Sequence, residues 1–168
     1  MEEKKVHMNY PQLINYVVNA AVTVDIWGRG TGKTVRVNAP WSARRVFEMP
    51  RSSGAIVGET YTQILTNTLP KMIKGWEDMG YRQNVHFFVG RYAPVNFRWK
   101  KAYVHPESAK HYIHWINGSG IYLISQDRPG LSNGLDIDWL LCDEARLLNY
   151  KRLSEDTFPA IRGNAYHF

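Results

Sequence analysis

The chain has 168 residues, 44% of them hydrophobic and 21% charged, which is enough apolar material for one globular domain with its own core. A formal net charge of +6 favours contact with a polyanion, and the single cysteine, Cys142, excludes an internal disulfide framework. The charged start Met1–Lys5 predicts no secretory signal, and the polar residues that interrupt every apolar run predict no membrane span.

The first predicted elements are a helix and a strand. A proline in the first turn and an apolar face predict a helix over Pro11–Asn19. The apolar run Val22–Ile26 predicts a buried strand, and the glycine-rich turn Gly28–Thr34 follows it. A strand that enters such a turn is typical of a phosphate-binding loop.

Two prolines are expected to interrupt the helices that come next. A helix should begin at Gly32 and kink or end just before Pro40, which lacks a backbone donor. Helical pattern resumes over Trp41–Met49. It appears again over Thr60–Gly80, with a break near Pro70.

The remaining predicted strands alternate with these helices and end in a hairpin and an apolar run. In chain order they are Ala55–Gly58, Val85–Val89, Phe97–Trp99, Tyr112–Ile116, Ile121–Ser125 and Trp139–Cys142. The pattern predicts an α/β fold with a mostly parallel central sheet, phosphates bound at the strand ends, and an antiparallel hairpin added to the sheet.

The glycine-rich turn carries the first candidate site. Its backbone N–H groups can wrap a phosphate, Lys33 can reach the β- and γ-phosphates, and the Thr34 hydroxyl can face Mg²⁺. Trp27 stands where the usual pattern has its first glycine, but the flanking strand and helix supply the expected context. The predicted ATP-binding residues are Gln12, Gly28, Arg29, Gly30, Thr31, Gly32, Lys33 and Thr34.

Two adjacent acids form the second candidate site. The strand Trp139–Cys142 runs directly into Asp143 and Glu144, which puts Asp143 at a strand tip near the loop. Asp143 can then bind Mg²⁺ together with Thr34, and Glu144 can polarise the attacking water. Taken alone, an Asp-Glu pair is usually only a strand end or a helix cap.

Two further residues have an alternative that the sequence leaves open. Arg29 can act as a catalytic arginine that stabilises charge on the γ-phosphate, or it can point outward to a surface acid. Gln12 can recognise the adenine edge through its amide, or it can be an ordinary exposed helix residue.

Basic and aromatic residues alternate at Arg91-Tyr92 and over Phe97–Lys101. This pattern fits contact with a DNA backbone, and it also fits a strand with one solvated face. The six histidines show no metal-ligand spacing, and His111 and His114 should point to opposite faces of a strand. Cys142 is expected to serve packing.

With these residues placed, the chain resembles the ATPase domain of a tailed-phage terminase large subunit, the motor that packages DNA. That domain is a P-loop NTPase of the RecA-like (ASCE) type, a three-layer sandwich. The order and spacing match across nearly the whole chain, although an arginine often found near Gly58-Glu59 in that family is missing. The resemblance depends on these segments: Tyr10-Pro11-Gln12, the loop Trp27–Thr34, Gly58-Glu59-Thr60-Tyr61, Gly118-Ser119 with the strand Ile121–Ser125, and Trp139–Ala145.

The resemblance implies ATP and Mg²⁺ as cofactors. It assigns adenine recognition to Gln12, a sensor or finger role to Arg29, phosphate and metal binding to Lys33 and Thr34, and metal binding and water activation to Asp143 and Glu144. It also implies double-stranded DNA, a portal or procapsid and a terminase small subunit as partners, no membrane, and a homo-oligomeric ring in the host cytoplasm.

The resemblance also sets an expectation for domain organisation. Residues 1–168 should form a single ATPase domain that ends before the coupling motif, without the RNase H-like nuclease domain. Two other functions fit the sequence: a helicase-like P-loop ATPase, and a nucleotide-binding fragment without turnover.

Overall fold

The computed structural model describes residues 6–28, 30–128 and 134–163 of the chain. Five strands form one sheet in the order β2-β3-β4-β1-β5. Their bounds are Ser53–Gly58 for β1, Phe87–Val89 for β2, Tyr112–Trp115 for β3, Gly120–Ser125 for β4 and Trp139–Cys142 for β5. The expected α/β class is confirmed.

The sheet is mixed, so the expectation of a mostly parallel sheet is wrong. β1 pairs in parallel with β4 on one side and with β5 on the other. β3 pairs antiparallel with both β2 and β4, and the predicted hairpin is its pairing with β4. A short turn reverses the chain between β3 and β4 and forces this antiparallel direction. The carboxyl ends of β4, β1 and β5 therefore meet at one edge of the sheet.

The described residues form five α-helices. They are α1 at Tyr10–Val18, α2 at Ala39–Glu48, α3 at Tyr61–Gln63, α4 at Leu69–Asp78 and α5 at Tyr150–Arg152. A capping box stabilises the start of α1, in which the Asn9 side chain accepts from the Gln12 backbone and the Gln12 side chain accepts from the Asn9 backbone. No helix within the described residues has the length and apolar character needed to cross a bilayer.

Three π-helical turns accompany these helices, at Thr34–Asn38, Ile64–Thr68 and Leu153–Thr157. Each ends two residues before a proline. In the first, the Ala39 N–H bonds to the Thr34 carbonyl five residues back, and in the second, Leu69 bonds to Ile64 in the same way. A proline ring clashes with the carbonyl four residues before it, and the wider turn relieves that clash. The expected breaks near Pro40 and Pro70 are therefore wider turns, and the helices continue through them.

The sheet separates two apolar clusters. On one face, Ile56, Trp115 and Ile121 pack against the α2 and α4 side chains Ala43 and Met72. On the other face, the second cluster includes Ala55, Val57, Tyr112, Tyr122, Ala109, Leu153 and Ala160. The alternation of β1 residues between the clusters is the strand period of two. The fold thus has a helical layer, a sheet, and a third layer made largely of irregular chain.

Two predicted strands are wrong. Residues 22–26 belong to no strand, and Val22, Val24 and Ile26 are 83%, 81% and 91% exposed. The second expected strand, Phe97–Trp99, is replaced by a 3₁₀ turn at Val95–Phe97. Its aromatic rings pack on Phe88 instead of forming a ladder, because Phe97 and Trp99 each meet the Phe88 ring edge-on.

Candidate functional site

The described residues of the predicted phosphate loop form a turn that leads into a long helix. Gly30 and Gly32 have φ of +79° and +72°, a conformation that favours glycine. The Thr31 hydroxyl donates to the Gly28 carbonyl at 3.0 Å and holds the turn closed. Lys33 already has helical dihedrals. The N–H groups of the first helical turn have no partner within the helix, so this end suits an anion.

Gln12 is buried and joins α1 to the loop. Its amide nitrogen donates to the Thr31 carbonyl at 2.7 Å, and its amide oxygen accepts from the Asn9 backbone at 2.9 Å. Only 4% of the residue is exposed, in contrast to the alternative of an exposed helix residue. Both polar atoms of the Gln12 amide already have partners. These two contacts position the loop against α1.

A second contact ties α1 to the chain that enters the loop. The Asn15 amide donates to the Asp25 carboxylate at 2.7 Å. α1 is itself held on α2, since Arg45 donates to the Asn19 side chain at 2.9 Å and Arg44 to the Tyr16 carbonyl at 3.0 Å. The predicted catalytic arginine, Arg29, lies outside the described residues.

Asp143 lies at the carboxyl end of β5, and its carboxylate contacts the helices that contain the first two π turns. The Asn38 amide donates to Oδ1 at 3.3 Å, and the Thr68 hydroxyl donates to Oδ2 at 2.7 Å. Asp143 is 6% exposed. Asn38 lies about one turn beyond Thr34 on the same helix. The acid predicted to bind metal is therefore packed against the helix that the loop begins.

Glu144 points away from this buried position. Its backbone is left-handed, with φ of +51°, an uncommon conformation for a residue other than glycine. The change of direction sends the chain into the 3₁₀ turn Ala145–Leu147. The Glu144 carboxylate is 43% exposed and lies 3.4 Å from the Arg146 guanidinium. A surface ion pair of this kind contributes little stability, so it leaves the carboxylate available for other contacts.

The two helices that contact Asp143 are fixed against each other. The Trp76 indole on α4 donates to the Ala39 carbonyl at 3.0 Å. Gly75 lies so close to the other helix that an added Cβ would meet the Ala39 side chain at 2.5 Å. Only glycine permits this approach, and the relative position of Asn38 and Thr68 follows from it.

Among the described residues no group of three or more His, Cys, Asp or Glu side chains could hold a metal ion. Mg²⁺ does not require such a cage, because it usually binds one or two protein oxygens and completes its shell with phosphates and water. A Thr34 hydroxyl and the Asp143 carboxylate are ligands of the right chemistry. The residues present therefore fit Mg²⁺ when it arrives with a nucleotide.

Sequence reasoning missed Asn38 and Thr68. The available signal was a polar residue two positions before a proline, in Asn38-Ala39-Pro40 and Thr68-Leu69-Pro70. That pattern was interpreted as a helix break. It marks instead the last residue of a π turn, whose side chain reaches the sheet.

His111, His114 and the cysteine have structural contacts. His114 is buried, and its Nδ1 accepts from the Ala93 N–H at 3.1 Å while Nε2 lies 2.8 Å from the Lys100 carbonyl. Burial lowers the pKa of His114, which favours the neutral ring that these two contacts require. His111 precedes β3 and stacks on Tyr61. Burial raises the pKa of the Cys142 thiol to about 11, so the thiol is inert and packs in the second cluster, as expected.

The third layer carries a segment rich in positive charge. We call residues 91–110 the basic segment; it contains five exposed lysines and arginines and a single acid, Glu107. Those five are Arg91, Arg98, Lys100, Lys101 and Lys110. None of them takes part in the ion pairs among the described residues. Lys101 instead lies 4.2 Å from the centre of the Tyr92 ring.

Comparisons of the chain with protein-family models, with curated proteins and with solved structures each give no match.

Proposed function

We propose that the chain is the Mg²⁺-dependent ATPase domain of a viral terminase large subunit, which hydrolyses ATP to move double-stranded DNA into a procapsid. The observation that carries this proposal is the contact between Asp143 and the helix that begins at the glycine-rich loop. A phosphate-binding loop and a buried carboxylate that contacts the helix following the loop form the minimal machinery for metal-assisted phosphoryl transfer.

Each residue has a role in this proposal that matches its surroundings. The loop glycines and the helix start bind phosphate, Lys33 adds positive charge, and Thr34 with Asp143 binds Mg²⁺. Glu144 is more exposed than its neighbour, which suits a base that must meet a water molecule. Mg²⁺, once bound, offsets the negative charge that develops on the phosphates.

The proposed partners come from the resemblance and from charge. The basic segment supports contact with a DNA backbone, because five cations without ion-pair partners in the described residues lie in one layer of the fold. A portal, a procapsid, a small subunit and a ring of subunits in the host cytoplasm belong to the same proposal.

A second candidate function is nucleotide binding without turnover. Two observations favour it. Residues 22–26 do not join the sheet, so the chain entering the loop is held mainly through α1. The Glu144 carboxylate also contacts Arg146 rather than facing inward. Either arrangement can bind ATP and still fail to align the attacking water.

Two variants, each measured for ATP binding and for ATP hydrolysis, distinguish these two functions. Lys33→Ala should abolish ATP binding in a titration and hydrolysis in a phosphate-release assay, because it removes the loop's cation. Glu144→Gln should keep binding and lose turnover. Wild-type binding without hydrolysis would favour the second candidate. Lys33→Ala turnover equal to wild type would rule out a phosphate-binding loop at this position.

A further inference from the structure

Asn38 and Thr68 occupy equivalent positions in two different helices. Each is the last residue of a five-residue π turn, and each precedes a proline by two residues. The two π turns are far apart in sequence, yet both direct a polar side chain to the same carboxylate. Wide helical turns of this kind are frequent at functional sites.

The charge of Asp143 is not balanced by any cation in the described part of the chain. No lysine, arginine or histidine there forms an ion pair with this carboxylate. Its two contacts are neutral donors, an amide and a hydroxyl. Burying a carboxylate without a cation is costly, and two neutral hydrogen bonds offset only part of that cost.

The carboxylate keeps capacity for a further ligand. Its two oxygens offer about four acceptor positions, and Asn38 and Thr68 use one on each oxygen. The remaining positions can contact a cation while both donors stay in place. The two donors also restrict rotation of the carboxylate, because they hold its two oxygens from two helices that are fixed against each other.

We propose that Asn38 and Thr68 are positioning residues that hold the Asp143 carboxylate in the orientation needed for Mg²⁺. This inference rests on the proposed function. Neither residue touches the nucleotide in this scheme; they act through Asp143. Partners that orient a metal ligand typically change metal affinity by about 10- to 100-fold when they are removed.

The test measures how the affinity for a fluorescent ATP analogue depends on Mg²⁺. Thr68→Val removes the hydroxyl at nearly constant volume and should raise the half-saturating Mg²⁺ concentration about tenfold or more, with unchanged affinity in EDTA. Thr68→Ser should restore the wild-type value. Asn38→Ala should have a smaller effect, because its 3.3 Å hydrogen bond is the longer of the two. In steady-state hydrolysis the defect should be relieved by excess Mg²⁺.

Thr66→Val is the matched control. Thr66 lies on the same π turn, is exposed, and donates only to the Thr62 carbonyl. Its variant should show wild-type Mg²⁺ dependence. A Thr68→Val variant with wild-type Mg²⁺ dependence, or one that loses equal affinity with and without Mg²⁺, would overturn the inference.

If the proposed function itself is wrong, unfolding measured without nucleotide shows what the Thr68–Asp143 contact does. If the wild-type chain shows no Mg²⁺-dependent binding of the ATP analogue, the proposed function is wrong and a metal-positioning role is wrong with it. Unfolding of Thr68→Val, Asp143→Asn and the double variant then identifies what the contact does. Strong coupling between the two sites would assign the cluster to stability alone.

Discussion

The Gln12 side chain links the start of α1 to the glycine-rich loop. The amide accepts a capping bond at the start of α1 and donates to the loop carbonyl of Thr31. The backbone of Gly32 passes close by, since a Cβ there would lie 3.5 Å from the Gln12 amide nitrogen. The helix start and the loop are therefore fixed by one buried group.

Gln12→Glu separates the two bonds of this side chain. A carboxylate can still accept from the Asn9 N–H, so the helical circular dichroism signal should remain. It cannot donate to the Thr31 carbonyl, and leaving that group unmatched costs about 1–3 kcal/mol. ATP affinity, measured by titration, should fall about tenfold, since 1.4 kcal/mol corresponds to a factor of ten. A changed preference between ATP and GTP at constant ATP affinity would instead indicate that Gln12 contacts the base.

At the scale of elements, residues 22–26 show the clearest difference between the structure predicted from the sequence and the structure observed. Its apolar composition is that of a buried strand, but its side chains face solvent. A run of apolar residues does not determine which strand it will pair with. A strand forms only where a neighbouring strand supplies hydrogen bonds. Within the described residues, α1 contacts this segment through Asn15 and Asp25.

A pair of matched substitutions tests that placement. Val24→Asp changes a side chain that is 81% exposed, and the free energy of unfolding should change by no more than about 0.5 kcal/mol. Val57→Asp in β1 puts the same charge at a site that is 0% exposed and should cost more than about 4 kcal/mol. Urea denaturation measures both. A large loss from Val24→Asp would mean that the segment is part of a folded core.

Elements whose signals are local could be predicted from the sequence. Pro11 and an apolar face mark α1, and the turn before Gly120 marks the β3–β4 hairpin. The bounds of β5, Trp139–Cys142, are those predicted from its apolar run. The parallel pairings of β1 and the contacts of Asp143 join residues far apart in the chain, and no local pattern encodes them. The sequence around Pro40 and Pro70 does not distinguish a π turn from a helix break, because a proline is typical of both.

At the scale of the whole molecule, charge is distributed unequally between the two faces of the sheet. The helical layer forms ion pairs, among them Arg36 with Asp78 and Arg44 with Glu48. The basic segment in the other layer forms none among the described residues, and its backbone is anchored by the buried His114. A fixed array of cations without ion-pair partners is suited to a regular line of phosphates.

The double variant Arg98→Glu, Lys100→Glu tests whether this layer binds DNA. Both residues are exposed and neither forms an ion pair among the described residues, so folding should be unaffected. If each contacts a phosphate, the slope of log affinity against log salt should become shallower by about 2, as fluorescence anisotropy with duplex DNA can measure. Lys71→Glu, Lys74→Glu on α4 makes the same change in net charge in the helical layer and should leave that slope nearly unchanged. If both double variants lose the same DNA affinity, the effect comes from net charge alone and the basic segment is not the DNA-binding surface.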